Sequence, residues 1–378
     1  MNVNLSYWEQ QTWLSNIDFA IVGSGIVGLS CALRLREHYP KAKIVIFEAG
    51  TLPNGASTKN AGFACFGSVS EILDDLKTHS EEEVIALISK RYQGLQWLRK
   101  HVGSKTIDYQ SNGGYEVFRK DDTFLYENCL ENLEKVNRIT KKAISSKNAP
   151  FLLKNDPFSF KNIQKKIIFN RFEGQLDAGK MILALIQKCI KKGVFIINST
   201  KIEAFSEENS QVLLKTDHFG EIHTKKLFIA TNGFAKTLLP DENIVPARAQ
   251  VLITNPIPSL QIKGTFHLDK GYYYFRNIDK RILLGGGRNL DFEGETTTSM
   301  STTKNIQQAL ETLLRTTILP NTPFEIAHRW SGIMGVGNKK KPIVKAVSSQ
   351  VFVAARLGGM GVAIGGPTGI SLADLVKK

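Results

Sequence analysis

At 378 residues, 42% of them hydrophobic, the chain can bury a large core and divide into two domains. Its 22% charged and 9% aromatic residues exclude collagen-like, low-complexity and disordered classes. The formal net charge of +14 reads as a solvated basic surface. The densest basic stretch, 135–166, lacks the aromatic interleaving of a nucleic-acid platform, so no nucleic-acid partner is expected.

The segment Met1 to Leu14 is polar, carries Glu9 and has no basic stretch leading into an apolar one, so no signal peptide is read. Ile17 to Val22 is a short apolar run expected as a buried parallel strand. Gly25 to Glu37 follows as a helix, with Ile26, Leu29 and Leu33 on one face. The apolar run Phe19 to Leu33 is broken by glycines and is too short to span a membrane, so a cytoplasmic protein is expected. Lys43 to Glu48 is the second strand of a βαβ unit.

Residues 71–102 and 122–145 are expected to be helical, and 146–175 irregular and basic. Asp177 is placed to cap a helix running through Lys191, which Gly193 ends. Val194 to Ile197 is a strand, and Val212 to Lys215 and His223 to Ala230 belong to a meander. Residues 246–288 are strand-rich, including Gln250 to Thr254, Tyr272 to Arg276 and Arg281 to Leu284. A helix at 303–316 follows, then the strand Val351 to Ala355, a glycine loop, and a closing helix from Thr368 to Val376 behind Pro367. The cysteines Cys31, Cys65, Cys129 and Cys189 form no CxxC pair and have no zinc spacing with histidine; free thiols and no metal are expected.

Four segments carry chemistry. Gly23-Ser24-Gly25-Ile26-Val27-Gly28 is a GxGxxG placed between a strand and a helix, the context that gives it meaning. Gly23 permits the turn, Gly25 lets backbone approach a pyrophosphate, and Gly28 lets helix and strand pack closely. Phosphates then sit on free N–H groups at the helix N-terminus. Glu48, twenty residues after Gly28, can accept hydrogen bonds from ribose hydroxyls. Ala49 follows with no arginine for a 2′-phosphate, which disfavours NADP.

The second segment, Gly55 to Phe63, crowds small residues, hydroxyls and an amide where a loop can wrap a pyrophosphate; the same composition also makes plain turns. The third, Ile229 to Gly233, runs a strand into small residues, which also describes an ordinary strand end. The fourth, Gly358-Gly359-Met360-Gly361 continuing to Gly365 and Gly366, precedes the closing helix and would present N–H groups to an anionic edge, or form a turn without a ligand.

Together these segments resemble the D-amino acid oxidase superfamily, which includes glycine oxidase, sarcosine oxidase and γ-glutamylputrescine oxidoreductase. The resemblance spans nearly the whole chain. Its markers are GSGIVG (23–28), Glu48, GASTKNAGF (55–63), EGQLDAGK (173–180), IATNGF (229–234), PARAQ (246–250), YYYFR (272–276), RILLGGG (281–287), Trp330-Ser331-Gly332 and GGMGVAIG (358–365). The last six lean towards the γ-glutamylputrescine oxidoreductase-like branch.

The resemblance implies an α/β fold: a discontinuous Rossmann-type FAD-binding domain (1–75, 174–240 and 326–378) with a mixed-sheet substrate domain (76–173 and 241–325). It implies non-covalent FAD contacted by Gly23, Gly25, Ile26, Gly28, Glu48, Ala49, Ser57, Thr58, Asn60, Ala61, Gly62, Ile202 (through backbone, at adenine), Gly233, Gly358, Gly359, Met360 and Gly361. No cysteine follows Cys189 and no histidine lies in 50–70 to attach a flavin covalently. Met334 stands where glycine and D-amino acid oxidases place a carboxylate-binding arginine. Leu283 and Leu284 stand where sarcosine oxidases place a lysine over the flavin.

The expected reaction is oxidation of the C–N bond of a small-molecule amine. Hydride would pass to flavin N5, the imine would hydrolyse in water, and oxygen or another acceptor would take the electrons. Pocket candidates are Tyr274, Arg276, Trp330 and Met334. Arg276 reads either as a fork for a substrate anion or as an inter-strand arginine, and Tyr274 as pocket wall or core. Cys65 is expected to be a buried, inert thiol. A dehydrogenase for a hydroxy acid or polyol is the first alternative; it would need a base such as His223, His267 or His328. A tRNA-modifying flavoprotein and a non-enzymatic flavin-binding protein are the others.

Overall fold

A computed structural model describes residues 4–377. The chain opens with α1 (Tyr7–Glu9), β1 (Ile17–Val22), α2 (Ile26–His38), β2 (Ile44–Phe47), α3 (Ala56–Lys59), β3 (Phe63–Ala64), α4 (Val69–Asp75) and α5 (Glu81–Leu98). It continues through β4 (Gly114–Glu116), α6 (Thr123–Glu131), α7 (Leu133–Ile144), β5 (Phe151–Asn155), β6 (Lys166–Asn170), β7 (Gly174–Gln175), α8 (Ala178–Lys191) and β8 (Phe195–Ile197). Next come β9 (Ile202–Glu208), β10 (Gln211–Thr216), β11 (Gly220–Ile229), β12 (Val245–Thr254), β13 (Thr265–Leu268), β14 (Tyr273–Ile278) and β15 (Arg281–Gly286). The last elements are α9 (Lys304–Leu313), β16 (Ile326–Val336), β17 (Ile343–Ala346), β18 (Val351–Ala355) and α10 (Gly361–Asp374).

The first sheet runs β17-β18-β11-β1-β2-β8, with β10 and β9 continuing from β11. Its centre is parallel: Ala20 pairs with Val45 on one side and Leu227 on the other. Strands covered on both faces are apolar at nearly every position, which is why IVIF is an unbroken run and IDFAIV is interrupted only by half-buried Asp18. Helices α2 and α10 pack on this sheet with almost no space between them. A Cβ on Gly365 would lie 2.8 Å from Ile26 Cγ2, and one on Gly369 would overlap Val27 O.

That packing corrects the expected end of the chain. Helix α10 starts at Gly361 rather than Thr368, and Pro367 lies inside it. The glycines at 365 and 366 serve helix packing, and the true loop is confined to 356–360. The helical stretch expected at 71–102 is two helices. Ser80 restarts it as a capping box, accepting from Glu83 N (3.3 Å) while Glu83 Oε2 accepts from Ser80 N (3.0 Å). The region 146–175, expected to be irregular, holds β5, β6 and β7. Of β5 only Phe151 is buried, so a sheet-edge strand left little apolar alternation to read.

The second sheet runs β16-β12-β15-β14-β13-β4-β6-β5. It is mixed: β13 and β4 are parallel, and the other neighbours antiparallel. One face buries Leu252, Phe266, Phe275 and Leu284 against Ile306 and Leu310 of α9. The other face looks towards residues 57–71. Strand β16 pairs with β12 along its length, although the expected division assigned 326–336 to the nucleotide-binding domain. No helix among the described residues is long and apolar enough to cross a membrane.

Candidate functional site

Strand β1 ends in a turn built for a nucleotide. Gly23 adopts φ +101°, and its N–H donates to Phe47 O at 2.8 Å. A Cβ on Gly28 would overlap Gly23 O, and one on Gly25 would lie 2.8 Å from Ser57 Oγ. Gly25 caps α2 without a side chain, so the first-turn N–H groups have no intrahelical partner; that of Ile26 donates to Ser57 Oγ at 3.1 Å. Glu48 is 7% exposed. Its Oε2 accepts from Ser24 N (3.0 Å) and Ser24 Oγ (2.7 Å), and its Oε1 from Gly50 N (3.0 Å). Exposed Ala49 follows, and Thr200 N donates to Glu48 O (2.9 Å), bringing Ile202 alongside.

The segment 55–63, expected as a loop, contains the single-turn helix α3. Thr58 Oγ1 donates to Pro53 O at 2.7 Å. Asn60 Nδ2 donates to Ser57 O (2.7 Å), and its Oδ1 accepts from Gly62 N (2.8 Å). These side chains shape the segment. Gly62, at φ +72°, is pinned from behind: Arg276 Nη1 donates to Gly62 O (3.1 Å) and to Leu176 O (2.7 Å).

The residues fit FAD. A Cβ on Gly55 or Gly358 would meet nothing within 4 Å, and one on Gly359 only Met334 Sδ, at 3.5 Å. Glycine backbone therefore borders open space on two sides. Helix α10 begins beyond Met360 without a side-chain cap, so a second helix N-terminus offers free N–H groups there. The preceding turn is fixed by Asn232 Oδ1, which accepts from Arg356 N (3.0 Å) and Leu357 N (3.3 Å). Gly233 is pressed against β16, its Cβ position 3.0 Å from Ile333 Cγ2.

The second sheet supplies a wall. Trp330, Val251, Gly285, Tyr274 and His267 lie in register across β16, β12, β15, β14 and β13, and so share one face. Tyr274 lies over Gly285, where a Cβ would come 2.7 Å from its hydroxyl, and burial raises its pKa to about 12. Phe63 stands edge-on to both Tyr274 (5.6 Å) and His267 (5.3 Å). Ala61, Val251 and Leu283 pack with Phe63 and Trp330, making this wall largely apolar. Half-buried Met334 abuts Gly359.

Two sequence expectations are sharpened. Arg276 is a partly engaged fork whose Nε is buried without a partner. It is buried, its Nη1 is committed to two backbone carbonyls, and burial lowers its pKa to about 10. Cys65 is buried, and burial first and nearby Glu173 second push its thiol well above its ordinary range.

A buried polar cluster went unread. His267 Nε2 lies 3.0 Å from Glu173 Oε2. Burial opposes the imidazolium, but the Glu173 carboxylate outweighs it and His267 is raised to about 9. Glu116, its own pKa raised by burial, accepts from Val69 N (2.9 Å) and Ser70 N (3.2 Å) at the start of α4. The Cys65, Glu173 and His267 ligand atoms lie within 4.8 Å of one another. Glu173 and His267 are 94 positions apart, so no sequence spacing could reveal them. Of the other histidines, His223 is exposed on the first sheet, and His328 is exposed and stacked on Trp330 at 5.7 Å.

Residues 18–375 match a family model described as FAD dependent oxidoreductase (DAO). A Haemophilus influenzae protein named Probable oxidoreductase OrdL is 22% identical over 97% of this chain and 84% of its own length. Glycine oxidase from Geobacillus kaustophilus superposes with a TM-score of 0.75 at 20% identity, covering 95% of this chain and 94% of its own. L-amino acid deaminase from Proteus vulgaris gives 0.74 at 17% identity, covering 100% and 96%. L-proline dehydrogenase from P. horikoshii gives 0.72 at 17%, covering 96% and 90%. At such identities the structural likeness speaks for the fold.

Proposed function

This chain belongs to the DAO family of FAD-dependent oxidoreductases, and from that premise we propose that it oxidises the C–N bond of a primary or secondary amine or amino acid derivative. The amine is a small molecule, and oxygen or another acceptor takes the electrons. When bound, FAD supplies a two-electron acceptor for the hydride leaving the carbon beside the amine nitrogen.

The chain's own residues do the rest. Gly23, Gly25, Ile26 and Gly28 would receive the pyrophosphate at the α2 N-terminus. Glu48 and Ala49 would meet the ribose, and the Ile202 backbone the adenine. Ser57, Thr58, Asn60, Ala61 and Gly62 would follow the cofactor towards its ring, with Gly233 and Gly358 to Gly361 at the ring's polar edge. Tyr274, Trp330 and Met334 would exclude water from the reacting carbon and orient the substrate. We assign 1–75, 174–240 and 337–378 to the nucleotide-binding domain, moving the last boundary beyond β16 because that strand pairs with β12.

One observation carries the choice of an amine: the wall offers no free internal base. His267 is held as an imidazolium by Glu173, and Arg276, with a pKa of about 10, is itself a cation with no lone pair to take a proton. A neutral amine needs no proton removed before hydride leaves, whereas a hydroxyl does. A hydroxy-acid reaction would depend on His328, beside Trp330.

The test is anaerobic mixing of the FAD-loaded protein with panels of amines and hydroxy acids while the flavin absorbance is followed. Bleaching by amines is expected. Bleaching by hydroxy acids with none by any amine would defeat the proposal.

A further inference from the structure

Two of the four tryptophans stand in solvent on one short helix. Helix α1 runs on as a π-helical turn through Leu14, and no residue of 7–14 is buried. Tyr7, Trp8 and Trp13 are 67%, 74% and 43% exposed, whereas Trp97 and Trp330 are half-buried. The helix is anchored nonetheless. Ser6 and Glu9 close a capping box at its start. Lys43 Nζ donates to Gln11 O (3.3 Å) and Ser15 O (2.5 Å), and half-buried Leu14 packs against the core of the first sheet. Indoles and phenols held in water by an ordered segment mark a surface that meets a partner.

The position of the helix points to the kind of partner. Strands β1, β2, β8 and β11 are parallel, and Gly23 and Glu48 follow the carboxyl ends of β1 and β2. Helix α1 lies at the opposite end, beside Lys43 at the start of β2. Helices α2 and α8 finish there as well. Arg36 of α2 donates to Ala42 O (2.7 Å) and to Gly193 O (3.1 Å), just beyond α8. Exposed Lys41, Lys191 and Lys192 belong to this end and form no ion pair with a described residue. Half-buried Lys226 donates only to Ser349 O, at 2.9 Å. The acids here are engaged. Asp18 meets Lys225 (2.8 Å), Glu37 meets Arg34 (3.2 Å), and Asp374 meets Arg34 (2.9 Å) and His38 (2.7 Å). Glu9 caps its own helix, Glu207 accepts from Ser348 Oγ (2.6 Å), and Glu208 from Ser206 Oγ (3.3 Å).

A second copy of the chain would bring like charge against like at this end. The free cations are lysines, point charges suited to a fluid layer of phosphates, and the one arginine among them, Arg36, spends its fork on backbone carbonyls. Indole and phenol rings rest at headgroup level in a bilayer, and lysines beside them reach anionic lipids. Stable attachment without a spanning helix takes two such signals together, apolar insertion and a basic patch. We propose that the α1 end of the first sheet is a peripheral docking face for an anionic phospholipid bilayer, with Tyr7, Trp8 and Trp13 entering the headgroup layer and Lys41, Lys191 and Lys192 meeting lipid phosphates. Docked in this way, the cofactor end of the sheet faces water, so amine and electron acceptor both arrive from the aqueous side. The inference goes beyond the amine reading and uses none of its residues.

The test mixes FAD-loaded full-length protein with phosphatidylcholine vesicles prepared with and without phosphatidylglycerol. Co-sedimentation measures binding, and brominated acyl chains report tryptophan insertion by quenching its fluorescence. Binding should require phosphatidylglycerol, weaken as salt rises and bring strong quenching. The double variants Trp8→Ser with Trp13→Ser and Lys191→Glu with Lys192→Glu should each bind about tenfold more weakly, with flavin content and thermal midpoint as in the wild type. Quenching should disappear in the first of them. No binding to anionic vesicles, or equal binding by all three proteins, would overturn the assignment. So would a dimer or a tRNA complex that depends on Trp8 and Trp13 and forms in place of vesicle binding.

Discussion

The indole N–H of Trp330 donates to the backbone carbonyl oxygen of Lys59 at 2.9 Å, joining the second sheet to the segment that ends at Gly62. This bond ties the wall of the pocket to the cofactor side of the site. Trp330→Phe keeps the ring and removes the donor. The loss of a partly buried hydrogen bond is worth about 1 kcal/mol, so FAD should bind roughly fivefold more weakly. Fluorescence of flavin released on dilution measures this. An unchanged dissociation constant would mean that the tether does not position the segment.

Gly28→Ala should give a protein that retains no FAD. The added methyl would overlap Gly23 O, forcing α2 away from the turn that its N-terminus completes. Visible absorbance of the purified variant reports the outcome, with circular dichroism to confirm that helices remain. Stoichiometric flavin would show that the turn can relax.

Arg276→Leu should destabilise the fold rather than change substrate preference. It leaves Leu176 O without its guanidinium donor, at a cost on the order of 1–3 kcal/mol, while Gly62 O keeps its bond from Leu176 N (2.8 Å). The thermal midpoint should fall by several degrees in scanning calorimetry, and an unchanged midpoint would show that the guanidinium does not hold this segment.

The Glu173–His267 pair predicts a pH dependence of stability. The folded-state pKa of His267, about 9, lies above its ordinary 6.5. The contribution is therefore fully present below about 6.5 and disappears as pH rises through 9. Glu173, Glu116, Glu71 and Cys65 surround the imidazolium, so its deprotonation also leaves the buried carboxylates less well balanced. Wild type should lose urea resistance between these values, and His267→Gln should start lower and stay flatter. Parallel profiles for the two proteins would place the pH dependence elsewhere.

Local order alone determined much of this protein. The strand Ile17–Val22, the GxGxxG, the buried carboxylate at Glu48 and the Asp177 cap, which accepts from Lys180 N at 2.8 Å, were legible because each is a contiguous pattern with a local physical cause. So were the strands within 246–288, while their mixed sheet was implied by the family resemblance. The edge strand β5 was missed because a strand with one buried position leaves little alternation. The start of α10 was missed because glycine is a poor helix former, and only packing against Ile26 and Val27 makes it the favoured residue there.

Tertiary structure decided which charged groups are free. Arg276 is 214 positions from Gly62, and His267 is 94 from Glu173. Whether a buried cation is already neutralised depends on these distant partners. The sequence presents Arg248 and Arg276 as two strand arginines, and only the fold pairs the first with the Glu295 carboxylate and the second with backbone carbonyls.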